Sequence, residues 1–96
     1  MKVTDNKEEY EARSLATHRK FAAIALNALE ASGMSCNEVD DKMGMPHGSF
    51  KKWINRLMDG HTTYLSTICM YLFVMGCELQ PQVFKFTLSE KGNSNV

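Results

Sequence analysis

The chain of 96 residues carries 11 basic and 11 acidic side chains and is 44% hydrophobic. This length suits one domain with a single modest core and excludes a large catalytic cleft. The zero net charge neither favours nor excludes nucleic acid as a partner, although nucleic-acid-binding domains are commonly basic. The segregation of charge along the chain is therefore more informative than the total.

The cysteines Cys36, Cys69 and Cys77 form neither a C-x-x-C pair nor an even disulfide framework. They are typical of small apolar residues in a reducing cytoplasm. No signal peptide is recognisable, and the longest apolar run, residues 68–76, is far shorter than the roughly 20 residues that span a membrane. We therefore expect a cytoplasmic protein with no structural metal and no membrane partner.

The first predicted element is a helix that ends at Gly33, because glycine readily adopts the left-handed conformation at helix ends. Either Asp5 or Ser14 can cap its start, so residues 5–32 are either one long helix or a short helix followed by a long one. Its apolar face follows the helical spacing i, i+3, i+4, i+7, i+8 at Phe21, Ile24, Ala25, Ala28 and Leu29. A basic cluster on this helix is either a solvated face or a phosphate contact, at His18, Arg19 and Lys20.

Residues 35–55 predict two short helices joined by a tight turn. Ser35 and Glu38 have the spacing of a capping box, which starts the first helix, and Gly44 ends it. Pro46 suits the first position of the second helix, predicted over residues 46–57, because its missing N–H would have no helical partner there. The first helix has apolar residues on one face at Cys36, Val39 and Met43. The second has an apolar stripe at Phe50, Trp53, Ile54 and Leu57, which favours a core position for Trp53.

A fourth helix is predicted between a cap at Thr62 or Thr63 and an end at Gly76. Its predicted core stripe is Leu65, Ile68, Cys69, Leu72 and Phe73. Its other sides are also apolar, at Tyr64, Tyr71, Val74 and Met75. A helix that is apolar nearly all round is either a well-covered central helix or is partly buried against a second subunit.

Beyond Gly76 the apolar spacing changes to two, which predicts a β-strand at residues 83–90 and a disordered tail at residues 91–96. A lone strand leaves backbone groups unpaired. Its partner is either residues 77–79, folding back through 80–82, or the equivalent strand of another chain. The candidate dimerisation residues are Tyr71, Val74, Val83, Phe84, Phe86 and Leu88.

Positive charge is concentrated in the second short helix. Residues 46–57 contain Lys51, Lys52 and Arg56 and no acidic residue. The helix before it contains Glu38, Asp40 and Asp41. The polar side of the second helix lies opposite its apolar stripe and presents lysine and asparagine, which can pair with guanine and adenine in the major groove of B-DNA.

Residues 35–56 resemble the helix-turn-helix of the Cro and lambda-repressor family. The matching pattern of small polar, apolar, glycine, aromatic and terminal asparagine positions is Ser35, Val39, Gly44, Met45, Phe50, Trp53 and Asn55. Residues 64–79 also resemble the family's fourth helix, so the resemblance covers residues 33–79. It implies a mainly α, lambda-repressor-like four-helix fold with a helical core at residues 14–79 of a single domain, 1–96. Here a C-terminal β-strand replaces the family's fifth helix.

The resemblance implies base contacts from His47, Gly48 and Lys52, with Lys51 near them. It implies phosphate contacts from Cys36 and Asn55, and Ser35 and Arg56 complete the candidate DNA-binding set. The chain departs from the family pattern where Gln, Ala and a Ser or Thr cap are usual, at Cys36, Asp40 and Pro46. Because Gly48 has no side chain, base recognition would depend on few residues or on DNA shape.

We expect a sequence-specific transcriptional regulator, a repressor of bacterial or phage type, that binds a palindromic operator in double-stranded DNA as a homodimer. The alternative is a protein-interaction module or antitoxin-like partner that keeps the fold without reading DNA. The chain has no nucleophile–base pair, metal-ligand spacing or phosphate loop. We therefore expect no enzyme activity, no cofactor and no small-molecule substrate. Whether dimerisation uses the fourth helix or the strand stays open.

Overall fold

The computed structural model describes residues 3–79, and over this range the fold is mainly helical, as predicted. A short 3-10 turn, Val3–Asn6, leads into α1 (Lys7–Ser32), which is followed by α2 (Cys36–Met43), α3 (Ser49–Met58) and α4 (Leu65–Val74). No strand occurs within these described residues. The strand predicted at residues 83–90 and the tail predicted at 91–96 lie outside them.

The first helix is one continuous element of 26 residues, which resolves the alternative left open by the sequence. It begins at Lys7 with Asn6 in the N-cap position, so neither Asp5 nor Ser14 occupies that position. It ends at Gly33, whose φ of 70° is left-handed as predicted. The buried residues of its core face are the small Ala22, Ala25 and Ala28, and Phe21 and Leu29 are partly buried against the same core. Ile24 was expected on this face, but it is 38% exposed and that prediction is wrong.

The core lies where α1 and α2 pack against α3 and α4. The alanines of α1 allow close approach of the two later helices, and the space between helices is filled by larger side chains. Tyr71 of α4 stacks on Trp53 with ring centroids 4.4 Å apart, and it meets the Phe50 ring edge-on at 5.3 Å. The predicted core position of Trp53 is confirmed.

The buried face of α4 differs from the predicted stripe. The residues that are buried are Ile68, Tyr71, Leu72 and Met75. Three residues of the predicted stripe, Leu65, Cys69 and Phe73, are exposed. The helix is apolar on every side, so its sequence spacing does not define one face. Packing against Phe50 and Trp53 selects the face that carries Tyr71.

The start of α4 also differs from the prediction. Its N-cap is Tyr64, which makes no side-chain capping bond, and neither Thr62 nor Thr63 caps it. Instead, the Thr63 hydroxyl accepts a hydrogen bond from the indole N–H of Trp53 at 2.9 Å. This bond ties the loop before α4 to α3. Within the described residues, no helix combines the length and apolar character needed to cross a membrane.

Candidate nucleic-acid interface

The beginning and end of α2 agree with the sequence prediction. The Ser35 hydroxyl accepts a hydrogen bond from the Glu38 N–H at 3.1 Å, and the Glu38 carboxylate accepts one from the Ser35 N–H at 3.2 Å. Gly44 ends the helix with a left-handed φ of 69°. The capping box engages the Ser35 oxygen within the protein, and Cys36 is half-buried against the core. Both residues proposed for DNA contact at this helix start therefore have structural roles.

The turn after α2 is longer than the sequence predicted. The second helix of the motif begins at Ser49 rather than at Pro46, so the expectation that Pro46 occupies its first position is wrong. Gly48 precedes the helix with a φ of 96°, a left-handed conformation that interrupts helical geometry between Pro46 and Ser49. The Ser49 N–H and hydroxyl both donate to the Pro46 carbonyl, at 3.2 Å and 2.6 Å, and close the turn.

A buried carboxylate holds the start of α3 against α2. Asp40 is 0% exposed. Its Oδ2 accepts a hydrogen bond from the Gly48 N–H and its Oδ1 accepts one from the Phe50 N–H, both at 2.8 Å. The carboxylate thus caps α3 from a neighbouring helix and places negative charge at the positive end of the α3 dipole. The sequence showed Asp40 only as a departure from the usual alanine.

This cap changes the expected role of Gly48. The residue was a candidate for base contact, and with no side chain it could offer only its backbone. Its N–H is already bonded to Asp40, as is the N–H of Phe50. Because the N–H groups of Gly48, Ser49 and Phe50 are all bonded within the protein, we expect contacts from this helix to DNA to come mainly from side chains.

The other end of α3 is held by α1. The guanidinium Nε of Arg19 donates a hydrogen bond to the Met58 carbonyl at 3.1 Å, so a cation lies at the negative end of the helix dipole. In the same basic cluster, the His18 Nδ1 bonds to the Ser14 carbonyl at 2.7 Å and Lys20 is exposed. Two of the three residues in this cluster therefore have contacts within the protein, and α3 is fixed at both ends.

The outward face of α3 carries four exposed polar side chains, Lys51, Lys52, Asn55 and Arg56. The opposite face buries Phe50, Ile54 and Leu57. None of the three cations pairs with an acidic side chain among residues 3–79. They are therefore free to engage an anionic partner, and they lie close together because their spacing places them on adjacent turns of one helix.

His47 lies in the turn before α3, at the rim of this face. Its Nε2 is 2.8 Å from Oδ1 of Asp41, and both side chains are more than half exposed. The contact ties His47 to α2 and places a carboxylate beside the cationic face. A base contact from His47 would compete with this contact, and the Asp41 charge opposes the approach of phosphates.

Tyr71 lies beneath the turn, with its hydroxyl 3.8 Å from the Met45 sulfur. Burial raises the pKa of Tyr71 above its ordinary value of 10.0, and the negative charge of Asp40 raises it further. The residue is 2% exposed, so in this structure the predicted dimerisation residue Tyr71 offers almost no surface to a second chain. The other candidate of the described range, Val74, is half-buried and packs against the core. The remaining candidates, Val83, Phe84, Phe86 and Leu88, lie outside the described residues.

Comparison of the chain with protein-family models, with curated proteins and with solved structures found no match in any of the three. The resemblance to the Cro and lambda-repressor family therefore rests on the residues of this chain, and functional inference rests on the geometry of α2, the turn and α3.

Proposed function

We propose that the protein is a sequence-specific transcriptional regulator of the lambda-repressor-like type. In this proposal it acts in the cytoplasm as a repressor and binds a palindromic operator as a homodimer, with α3 in the major groove of double-stranded DNA. The observation that carries the proposal is the outward face of α3. There the exposed Lys51, Lys52 and Arg56, which pair with no acidic side chain among residues 3–79, surround Asn55 on a helix held at both ends by Asp40 and Arg19.

The length of this face suits a half-site. Residues 51 to 56 rise about 7.5 Å along the helix, which matches two to three base pairs. Lys52 and Lys51 are placed to donate to guanine O6 and N7, and Asn55 and Arg56 to contact phosphates. One such face binds weakly, so two copies are needed, presented to half-sites roughly 34 Å apart. Occupation of the operator would then exclude the transcription machinery.

The capped ends of α3 support the proposal because base recognition needs fixed geometry. Side chains on a helix that is held relative to its support can be aligned with base edges without further ordering. The buried Asp40 connects α2 to the turn and to α3 within a span of ten residues. The two helices therefore dock on DNA as one unit.

The test compares two double variants that lose the same charge. DNA that binds the wild type is first selected from a random-sequence library. Affinity is then measured by fluorescence anisotropy for the wild type, for Lys51→Ala with Lys52→Ala, and for a control, Lys7→Ala with Arg13→Ala. The control cations lie on α1, are exposed, and pair with Glu11 and Glu9 of the same helix.

The α3 variant should lose specific affinity by about 100-fold or more, since each base-directed pair contributes on the order of 1–3 kcal/mol. The control should lose only the small share that general charge attraction supplies. Equal losses in the two variants would show that α3 does not read the sequence. Circular dichroism verifies that both variants remain folded.

A second function is favoured by one observation. Phe73 of α4 is 79% exposed and Leu65 is 61% exposed, so the surface offers a large apolar patch to a protein partner. A protein-interaction module, or an antitoxin-like partner protein, would use this patch without reading DNA. Failure of the library selection to enrich any fragment would favour this function over the first.

A further inference from the structure

The exposed side of α4 is an apolar surface that DNA recognition by α3 does not use. Leu65, Cys69 and Phe73 recur every four residues and form what we call the α4 ridge; all three are exposed. Tyr64 and Met70 beside it are 80% and 54% exposed. Residues 64–77 contain no Asp, Glu, Lys, Arg or His. Exposed apolar area of this kind on a small domain marks a contact surface.

The ridge lies between two open hollows. One, of about 370 Å³, is lined by Lys42 and Met43 of α2 together with Cys69 and Phe73. The other, of about 670 Å³, is lined by Cys69, Phe73 and residues 76–79. Phe73 therefore projects between two concavities that are large enough to receive an aromatic side chain. A surface with a knob beside a hole can pack against its own copy.

Charge also favours a copy of the same chain. In a two-fold interface each patch faces itself, so a charged patch would meet like charge, and an uncharged ridge avoids this penalty. The rims of the hollows carry opposite charges, with Lys42 at one and Glu78 at the other. A second copy can set these residues against each other.

The available apolar area comes close to the area that a stable dimer needs. The exposed parts of Tyr64, Leu65, Met70 and Phe73 amount to on the order of 500 Å² on one chain, taking roughly 200 Å² for each large side chain. Two copies would bury about 1,000 Å² of apolar surface at the centre of the contact, near the threshold for a specific interface before any polar rim is added.

We propose that the α4 ridge is the two-fold interface between two copies of this chain, with the symmetry axis near Cys69. The proposal names the surface that forms the homodimer and rests on the proposed function for its purpose, which is to pair two α3 helices. It replaces the expected contact through Tyr71, which is buried.

The experiment uses the full chain. Sedimentation equilibrium measures the dimer dissociation constant of the wild type, of Phe73→Glu and of a matched control, Leu26→Glu. Leu26 is also an exposed apolar helix residue, 44% exposed, but lies on α1. We expect a wild-type dimer, a dissociation constant raised at least about 100-fold by Phe73→Glu because the change enters the interface twice, and little effect of Leu26→Glu. Melting curves check that both variants fold.

A second measurement does not depend on a disruptive variant. Copper(II) phenanthroline is added as oxidant: two Cu(II) complexes each take one electron and become Cu(I), the two thiols form one disulfide, and their two protons pass to solvent. The wild type should form a disulfide-linked dimer through Cys69, and Cys69→Ser, which keeps Cys36 and Cys77, should not. Equal crosslinking of the two proteins would overturn the proposal.

Two further results would overturn it. A monomeric wild type would mean that the ridge is covered by something else, such as residues 83–88 of the same chain or an unrelated protein. A Phe73→Glu variant as dimeric as the wild type would place the interface elsewhere. Both results can be distinguished from a failure of the proposed DNA binding. Phe73 lies on α4, remote in sequence from the α3 face, and the Lys51 and Lys52 variants measure DNA binding and not self-association of the chain.

Discussion

Asp40 provides the sharpest test of how the α2–turn–α3 unit is held. Its carboxylate accepts 2.8 Å hydrogen bonds from the N–H groups of Gly48 and Phe50, and it is completely buried. Asp40→Ala removes both acceptors and leaves the buried Phe50 N–H without a partner. The adjacent Asp41 is an internal control, because its carboxylate is exposed and pairs with the exposed His47.

Each hydrogen bond to a charged group contributes about 1.5–3 kcal/mol to stability. Part of this stabilisation is offset by the free-energy cost of burying the Asp40 carboxylate, and the alanine variant no longer has that cost. We therefore expect Asp40→Ala to lower the free energy of unfolding by about 3 kcal/mol, out of a total of roughly 5–15 kcal/mol for a domain. Asp40→Asn keeps one acceptor oxygen but turns an amide N–H₂ toward the other donor, and should fall between alanine and wild type. Asp41→Ala should lower it by about 1 kcal/mol at most.

Urea denaturation followed by circular dichroism at neutral pH measures these differences, and the transition slope checks that the same surface is exposed on unfolding. The expected order of destabilisation is Asp40→Ala, then Asp40→Asn, then Asp41→Ala. If Asp40→Ala were no more destabilising than Asp41→Ala, the Asp40 carboxylate would not be the cap that stabilises α3, and it would not be what holds α2 and α3 together.

Three further predictions concern the same region. Burial and Asp40 raise the pKa of Tyr71 above 10.0, so the folded state holds this proton more tightly than the unfolded state. The free energy of unfolding of the wild type should therefore fall as the pH rises above about 10, and it should fall less steeply in Tyr71→Phe. Denaturation of both proteins between pH 8 and 11 measures this difference. Gly48 has a φ of 96°, with open space where a Cβ would lie. Gly48→Ala should therefore destabilise the folded protein through backbone strain alone, by about 1 kcal/mol. A thermal melt measures the change, and a melting curve identical to that of the wild type would contradict this. Asp41→Asn removes a negative charge beside the α3 face and releases His47 from its ion pair, so the affinity for DNA at low salt should rise several-fold. A lower affinity would show that the Asp41–His47 pair positions His47 for DNA binding.

The sequence correctly predicted those features of the fold that depend on interactions between residues close together in the chain. The capping box at Ser35 and Glu38 and the left-handed ends at Gly33 and Gly44 depend on residues within one turn, and all are confirmed. The apolar stripe of α3 was also predicted correctly, because that helix has one apolar and one polar face. The outward face with Lys51 and Lys52 follows directly from that stripe.

Features that depend on contacts between elements could not be predicted. The face of α4 is chosen by Tyr71 stacking on Trp53, and a helix with apolar residues all round gives no periodic signal for that choice. The start of α3 is set by Asp40, which accepts hydrogen bonds from the N–H groups of Gly48 and Phe50, eight and ten residues later in the chain. Proline preference for a first helical position therefore predicted the wrong start at Pro46.

The most direct test of the function is selection of DNA fragments by the full-length wild-type chain, followed by competition between the selected site and scrambled DNA at physiological salt. We expect the recovered fragments to share a two-fold-symmetric site with half-sites about one helical turn apart, bound roughly 1,000-fold or more tightly than scrambled DNA. Fragments without a common sequence, or equal affinity for selected and scrambled DNA, would contradict a sequence-reading role for α3.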